Sequence, residues 1–335
     1  MTRKILLTLI LITAIAIAFG WYYLAVAPAG SIEGDKDVII IANKGETLIS
    51  IAQRLQEQSI IDNSKILVGL VSVIGSPNEV KAGRYDFSKD NSYLTIARLL
   101  LKGSNSPVRV TFPEGLTYKQ MAGIVYRRLS VDSTAFVRAC ENDSLLKQFN
   151  IDADNFEGYL FPDTYYIYFG SEPEKIVGIM VERFFEVFDG EMVKRAEAVG
   201  FNIHEAVTMA SLIEKETGLK DERRTISAVF HNRLRKGMKL QCDPTVIYAL
   251  PNLNRPLWIK DLAVDSPYNT YRYYGLPPGP IANPGQRSLE AAVNPADVDY
   301  LYFVASGDGG HLFAETNRQH NNNRIKVKRQ MREKR

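Results

Sequence analysis

The sequence predicts an α+β protein in three parts: an N-terminal transmembrane helix, a small α+β unit and a larger mixed α+β unit. Three observations carry that expectation. An uncharged apolar run opens the chain, short β-branched runs alternate with stretches of helical period, and turn formers mark the junctions. The 335 residues accommodate an anchor plus two units, because domains usually run to about 100–200 residues. Hydrophobic residues make up 45% and charged residues 24%, a globular balance that excludes a disordered chain. A net charge of +3 is too small for a nucleic-acid binder, and no finger, basic-zipper or RNA-binding aromatic pattern occurs, so no nucleic-acid partner is expected. Bases do concentrate after His320, in NNNRIKVKRQMREKR, which reads as a solvated basic end or as a contact for an anionic surface.

The first element settles the compartment. Arg3 and Lys4 precede an apolar run from Ile5 to Phe19, and Trp21, Tyr22 and Tyr23 close it. Continued to Val26, the run suffices for a helix that must cross a hydrocarbon core with ~20 residues. The basic flank belongs in the cytoplasm and the aromatic cluster at the far interface. Ala25-Val26-Ala27 also matches a signal-peptidase pattern, but the apolar core is longer than that of a typical signal peptide, which favours an uncleaved anchor. Either way the remainder of the chain is exported. The expected plan is a cytoplasmic N-terminus (1–4), a single-pass anchor in the cytoplasmic (inner) membrane (5–26), a spacer (27–37), the small unit (38–105) and the larger unit (106–335), both on the periplasmic side.

In the small unit, Val38–Ile41 reads as a strand and Lys44–Thr47 as a turn; Leu48, Ile51, Ala52 and Leu55 then have helical spacing. A helix is expected over Ser64–Val73, a turn and strand over Lys81–Phe87, and a helix over Tyr93–Leu101 that Gly103 ends. The stretch GETLISIAQRL resembles the opening of a LysM module, a small fold that binds N-acetylglucosamine chains. That resemblance spans roughly 38–102 and is loose, since Lys81–Phe87 and the last helix do not belong to a simple LysM. A plain packing unit of strand and helices is the competing reading.

In the larger unit, Val108–Phe112 is an expected strand, Pro113-Glu114-Gly115 a turn and Tyr118–Leu129 an amphipathic helix. The segment FEGYLFPDTY, residues 156–165, is dense in rings and turn formers and reads either as a sugar-stacking surface or as a core corner. A long helix follows over Glu172–Phe188.

Residues 205–217, EAVTMASLIEKET, form the next expected helix, ended by Gly218. With about 100° between successive residues, Ala206, Val207, Met209, Ala210, Leu212 and Ile213 make one apolar arc, with Thr208, Ser211 and Lys215 at the opposite pole. Glu214 and Glu216 fall on the two flanks of that arc, roughly 160° apart. Partial burial there raises a carboxyl pKa, as a general acid requires. Ion pairing to Arg223 or Arg233 is the alternative for both. Geometry alone does not choose between the two glutamates, and their separation disfavours a site in which both share one cleft.

Downstream, Ile226, Val229, Phe230 and Leu234 mark a helix that stops at Gly237. Asp243 is then expected as an N-cap, with Pro244 at the first helical position. The following forty residues carry seven prolines between Pro251 and Pro284 and read as a long rigid loop, which inside a compact domain is usually functional. A strand (Leu301–Ala305), a Gly-rich hairpin, a strand with His311 and Phe313, and the basic helix complete the chain.

Other chemistries find no support. His204-Glu205 begins like a zinc-protease HExxH, but Thr208 stands where the second histidine would be. The four histidines lack ligand spacing, and nucleophile-elbow, phosphate-loop and dinucleotide motifs are missing, so neither metal nor cofactor is expected. Cys140 and Cys242, the two cysteines, allow two thiols or one disulfide, not a disulfide framework.

Several motifs occur in fixed order: ASLIEKET ending at Thr217, Asn232-Arg233-Leu234, LQCDPTVIY from Leu240 to Tyr248, Tyr268-Asn269-Thr270-Tyr271, GLPPGPI from Gly275 to Ile281, and YLYFVA from Tyr300 to Ala305. Together with EGYLFPDTY and the anchor, they closely resemble the endolytic murein transglycosylases of the YceG-like family over nearly the whole chain. The resemblance implies a LysM-like subdomain and an α+β catalytic domain. It implies that Glu216 is catalytic and Glu214 supporting, with Glu214, Gln241, Asp243, Thr245, Tyr248, Asn269 and Tyr271 on the substrate side. Peptidoglycan glycan strands are the implied substrate, and penicillin-binding proteins or other peptidoglycan synthases the implied partners. The chain departs from the family pattern at Cys242, where Thr is usual, and at Asn283, where Thr precedes the Pro-Gly; both departures touch substrate contacts, not the acid. A muramidase and a non-catalytic peptidoglycan-binding scaffold remain the alternatives.

Overall fold

The computed structural model describes residues 2–31, 38–43, 45–77, 80–103 and 107–333; most of the expected spacer, Lys44 and the 105/106 boundary lie outside the described residues. Helix α1 (Thr2–Ala25) opens the chain. Its stretch Lys4–Ala25 has mean hydropathy 2.3 and no buried part, so it is long and apolar enough to cross a membrane.

The contacts divide the chain into two compact units, one of residues 1–110 with 126–131 and 165–171, the other of 111–125, 132–164 and 172–335. In the first, β1 (Val38–Ala42) precedes helices α2 (Leu48–Glu57) and α3 (Ser64–Ile74). Strand β2 (Gly83–Phe87) returns antiparallel to β1, with Val38 opposite Phe87 and Ala42 opposite Gly83, and helix α4 (Tyr93–Lys102) follows. Each helix starts where a side chain takes an N–H that the helix itself cannot pair: Thr47 accepts from Ser50, Asn63 from Lys65 and Ser92 from Thr95. Such caps contribute ~1 kcal/mol each. The expected face of Leu48, Ile51, Ala52 and Leu55 is buried, in one core with Tyr85, Phe87, Tyr93, Ile96 and Leu100. Strand β3 (Val108–Thr111) pairs with β4 (Thr164–Ile167) in a separate two-stranded sheet.

The intervening and following helices are α5 (Tyr118–Leu129), α6 (Ser133–Cys140), α7 (Asp143–Gln148), α8 (Pro173–Val187), α9 (Gly190–Ala198), α10 (Ile203–Glu216), α11 (Arg223–Arg235), α12 (Asp243–Ala249) and α13 (Gln286–Val293). The hairpin of β5 (Tyr302–Ala305) and β6 (His311–Ala314) and helix α14 (Asn317–Glu333) end the described chain. Helix α10 is the axis of this unit, started by a capping box of Asn202 and Glu205 and packed against α9, α11, α12 and α13.

Three expectations need correction, and the open alternative for the cysteines resolves to two thiols. Thr208 and Ser211 do not form a wet pole: both are buried, because the 275–285 segment covers that side and Ile281 N–H donates to Ser211 Oγ at 3.0 Å. Ser211 Oγ in turn donates to Thr208 O, and Thr208 Oγ1 to His204 O, both at 2.7 Å, so the hydroxyls are satisfied within the core. Asp243 is the first helical residue of α12, not its N-cap; Cys242 occupies the cap without a side-chain bond. The cysteines are free and buried. Helices α6, α7, α9 and α13 were not among the expected elements; each is nine residues or shorter, too little for periodicity to register. Gly158, inside FEGYLFPDTY, has φ +86°, and a Cβ there would meet Pro280 Cγ at 2.5 Å and Val207 Cγ1 at 2.7 Å. That segment is therefore a core corner against α10 and the proline loop.

Candidate active site

Glu216 is the last residue of α10, and Thr217 caps the helix with extended backbone. A carboxyl at that end meets the negative pole of the helix dipole. It is partly buried, and loss of water pushes its pKa above the ordinary carboxylate value. Asp243 pushes in the same direction, while a hydrogen bond from the Cys242 thiol and the charges of His311 and Arg233 oppose it. Burial is the largest of these effects, so the carboxyl keeps its proton at higher pH than a free glutamate does.

Glu216 opens into a groove of about 310 Å3 lined also by Arg233, Gln241, Asp243, Tyr271, His311 and His320. Each is set by the local fold. Arg233, on α11, donates from Nε to Leu301 O at 2.7 Å and from Nη1 to Leu240 O at 2.6 Å, fastening β5 and the 238–242 segment to that helix. Gln241 holds φ +52°, a conformation that costs a non-glycine residue ~1–2 kcal/mol. Strain of this kind persists where surrounding bonds over-determine it; here Gln241 N–H donates to Thr270 O at 3.2 Å and Cys242 N–H to Thr270 Oγ1 at 3.0 Å. Tyr271 OH donates to Asp243 Oδ1 at 2.5 Å. Burial, together with that bond, pushes the phenol pKa upward.

Glu214 has a different place. Its carboxylate accepts from Arg223 Nη2 at 3.3 Å, Gly285 N at 3.1 Å and Ser288 Oγ at 2.7 Å, binding α10 to α11 and α13. The ion pair is buried, with side-chain exposures of 6% and 7%. Two residues apart, the glutamates have separate partners, as their angular separation on the helix requires.

Of the other candidate residues, the structure brings Gln241, Asp243 and Tyr271 to Glu216 and leaves three elsewhere. Thr245 is buried against Cys242 O and Thr270 Oγ1. Asn269 is buried and donates to Leu262 O and Val264 O while accepting from Tyr271 N, so its amide shapes the loop. Tyr248 donates to Glu157 Oε2 at 3.4 Å and lies on Tyr268. Glu157 is itself notable: buried, it accepts from Tyr118 N and Asn283 Nδ2 as well, and desolvation drives its pKa to about 8. The departure at Asn283 is thus an internal matter, the amide linking Leu116, Glu157 and Leu160. The departure at Cys242 is not, since this thiol acts on the Glu216 carboxyl and lowers its pKa against burial.

Sequence reasoning missed Arg233, His311 and His320 as groove residues. The nearest signal is the hairpin Ser306–Gly310, which delivers His311; the groove brings together α10, α11, β5, β6 and α14, which periodicity cannot align. His204, the start of the false zinc motif, is used internally, with Nδ1 on Tyr159 OH and Nε2 on Pro278 O, both at 3.0 Å. A larger cavity of about 750 Å3 in the same unit is lined by Phe149, Tyr159, Phe185 and His204 and by none of the candidate residues. Among the described residues no three His, Cys, Asp or Glu side chains gather as metal ligands would.

The model of the YceG-like family matches residues 40–326. A protein of Bacillus subtilis (strain 168) named endolytic murein transglycosylase is 33% identical over 314 residues, 87% of this chain and 85% of that protein. One of the same name from Streptococcus pneumoniae serotype 2 (strain D39 / NCTC 7466) is 26% identical over 315 residues; the match covers 85% of this chain but 57% of that longer protein. The crystal structure of a YceG-like protein from Listeria monocytogenes superposes with a TM-score of 0.61 at 32% identity, covering 86% of this chain and 98% of the other.

Proposed function

The chain belongs to the YceG-like family, and we propose that it is an endolytic murein transglycosylase whose acid is Glu216. The observation that carries the reading is the Glu216 carboxyl, its pKa raised by burial at the end of α10, opening into a groove. Protonated Glu216 donates to the oxygen joining N-acetylmuramic acid to N-acetylglucosamine as the C1–O bond breaks. The 6-hydroxyl of the same muramic residue attacks C1, and its proton returns to ionised Glu216. The products are a free 4-hydroxyl and a 1,6-anhydro end; no water is consumed. Proximity of the internal hydroxyl supplies part of the acceleration. Gln241, Asp243 and Tyr271 orient the sugar from the groove walls, and Glu214 holds the helix.

Residues 106–335 form the catalytic domain in this reading. The β1–α2–α3–β2 arrangement of residues 38–105 serves as a LysM-like glycan-holding part. Helix α1 anchors the chain in the cytoplasmic membrane with residues 1–4 inside, which places the groove where glycan strands are made and where peptidoglycan synthases work.

One observation favours a second reading, a muramidase: Asp243 lines the same groove as Glu216. Hydrolytic glycosidases use two carboxyls ~5–9.5 Å apart, the second acting on water or on C1. Mass spectrometry of glycan strands digested by the purified protein decides. Anhydro ends support transglycosylation, reducing ends replace it with hydrolysis, and uncut strands that still bind the protein leave a scaffold.

A further inference from the structure

We propose that His311 is a second catalytic residue of the groove: its Nε2 takes the proton of the attacking hydroxyl and passes it to ionised Glu216, while Glu222 holds the imidazole in place. The inference rests on the transglycosylase reading and adds a carrier to its proton cycle.

The geometry is that of an oriented ring. Glu222 lies in the short 3-10 turn Lys220–Glu222 between α10 and α11. Its Oε1 accepts the backbone N–H of His311 at 2.8 Å, and its Oε2 lies 2.7 Å from His311 Nδ1. A carboxylate has no proton to give, so Nδ1 must be the donor of that second bond and carry the hydrogen. In the neutral ring Nε2 is then the atom with the free lone pair. Phe303 meets the ring edge to face, with centroids 5.3 Å apart, and His311 lines the same groove as Glu216.

The clamp fits closely. A Cβ on Gly310 would come within 2.9 Å of Glu222 Oε1, so the residue before His311 has to be small for the carboxylate to approach. Thr217 Oγ1, beside Glu216 in sequence, also points at Glu222 Oε2, at 3.5 Å. One carboxylate therefore ties the end of α10, which carries the acid, to the start of β6, which carries the imidazole.

In the cycle, Glu216 gives its proton to the leaving oxygen as the C1–O bond breaks and becomes a carboxylate. The O6–C1 bond forms, and the O6 proton moves to Nε2. The ring is then cationic, balanced by Glu222, and shares the groove with ionised Glu216. Transfer of that proton to Glu216 restores both groups, with no net gain or loss of protons.

The test compares wild type with His311→Gln and Glu222→Gln on purified glycan strands. His311→Gln keeps an acceptor oxygen but cannot carry a proton; proton transfer by a placed side chain is worth ~10²–10⁴ in rate. Glu222→Gln cannot accept from both N–H groups, so the fixed tautomer is lost. Both variants should melt near the wild-type temperature, keep KM within about twofold and lose kcat by at least ~10²-fold. Added imidazole should restore part of the rate to His311→Gly. A folded His311→Gln with kcat within about threefold of wild type overturns the proposal, as does a normal rate in Glu222→Gln should His311→Gln fail to fold. Product identity in wild type is read separately: reducing ends there would sink the transglycosylase reading whatever the variants do.

Discussion

The Cys242 thiol favours the ionised form of the Glu216 carboxyl, against the burial that raises its pKa. A thiol is a weak donor, and burial remains the larger effect, so the net shift is upward. Removing the donor should raise the acid's pKa further. In Cys242→Ala the alkaline fall of activity, where Glu216 loses its proton, should move to higher pH; Cys242→Thr, which keeps a donor, should move it the other way or leave it. A pH–rate series on the three proteins checks the order. Burial also pushes both thiols up, so neither cysteine should react with iodoacetamide until the protein unfolds.

Glu214 is a strut, and its loss should show in stability first. Glu214→Ala leaves the buried Arg223 guanidinium with Ser288 and the more distant, half-exposed Glu114, so the cost should approach but not exceed the about 3–5 kcal/mol of a broken buried pair. Urea unfolding of the wild type and the variant measures it. Glu214→Gln keeps the acceptor for Ser288 and Gly285 and should lose less.

Glu157 should make stability pH-dependent. Its folded pKa of about 8 lies above the ordinary 4.5, so the native state holds a proton that the unfolded state releases between those values. Stability from this group is therefore present at low pH and is lost as pH rises from about 4.5, with the loss complete above about 8. A shift of this size is worth at most about 5 kcal/mol. Glu157→Gln offers Oε1 to Tyr118 and Asn283 and an amide to Tyr248, so its melting temperature should vary less across that range. An equally steep wild-type and variant profile would remove Glu157 as the cause.

Gln241 carries backbone strain and faces the groove, and two substitutions separate these. Gln241→Gly relieves the positive φ and deletes the side chain; Gln241→Ala deletes it and keeps the strain. The glycine variant should be more stable by about 0.5–1 kcal/mol. Both should raise KM if the amide binds sugar, and equal KM in all three proteins would leave Gln241 as a backbone element alone.

Much of this arrangement was legible in the sequence, for identifiable reasons. The apolar helix α1, the α2 face and the body of α10 follow from local patterns, an uncharged run and apolar spacing at i, i+3, i+4; the capping box that starts α10 two residues earlier than expected went unread. The two flanks assigned to Glu214 and Glu216 follow from helix geometry alone. The choice of Glu216 did not; it came from resemblance, and physically it depends on Cys242, Arg233 and His311, which lie up to 95 residues away in the chain. Thr208 and Ser211 look like a wet face because local patterning cannot foresee a proline loop laid over them. Thr245, Asn269 and Tyr248 sit in motifs beside the groove yet serve the loop and the core, since polar side chains in a rigid loop must first satisfy its backbone.

The central claim is that one carboxyl performs the chemistry, and turnover of Glu216→Gln on purified glycan strands, beside Glu214→Gln, tests it most directly. Folded Glu216→Gln should lose at least ~10²-fold in rate while still binding glycan, with Glu214→Gln retaining most of its activity. Wild-type cleavage by Glu216→Gln would contradict the account.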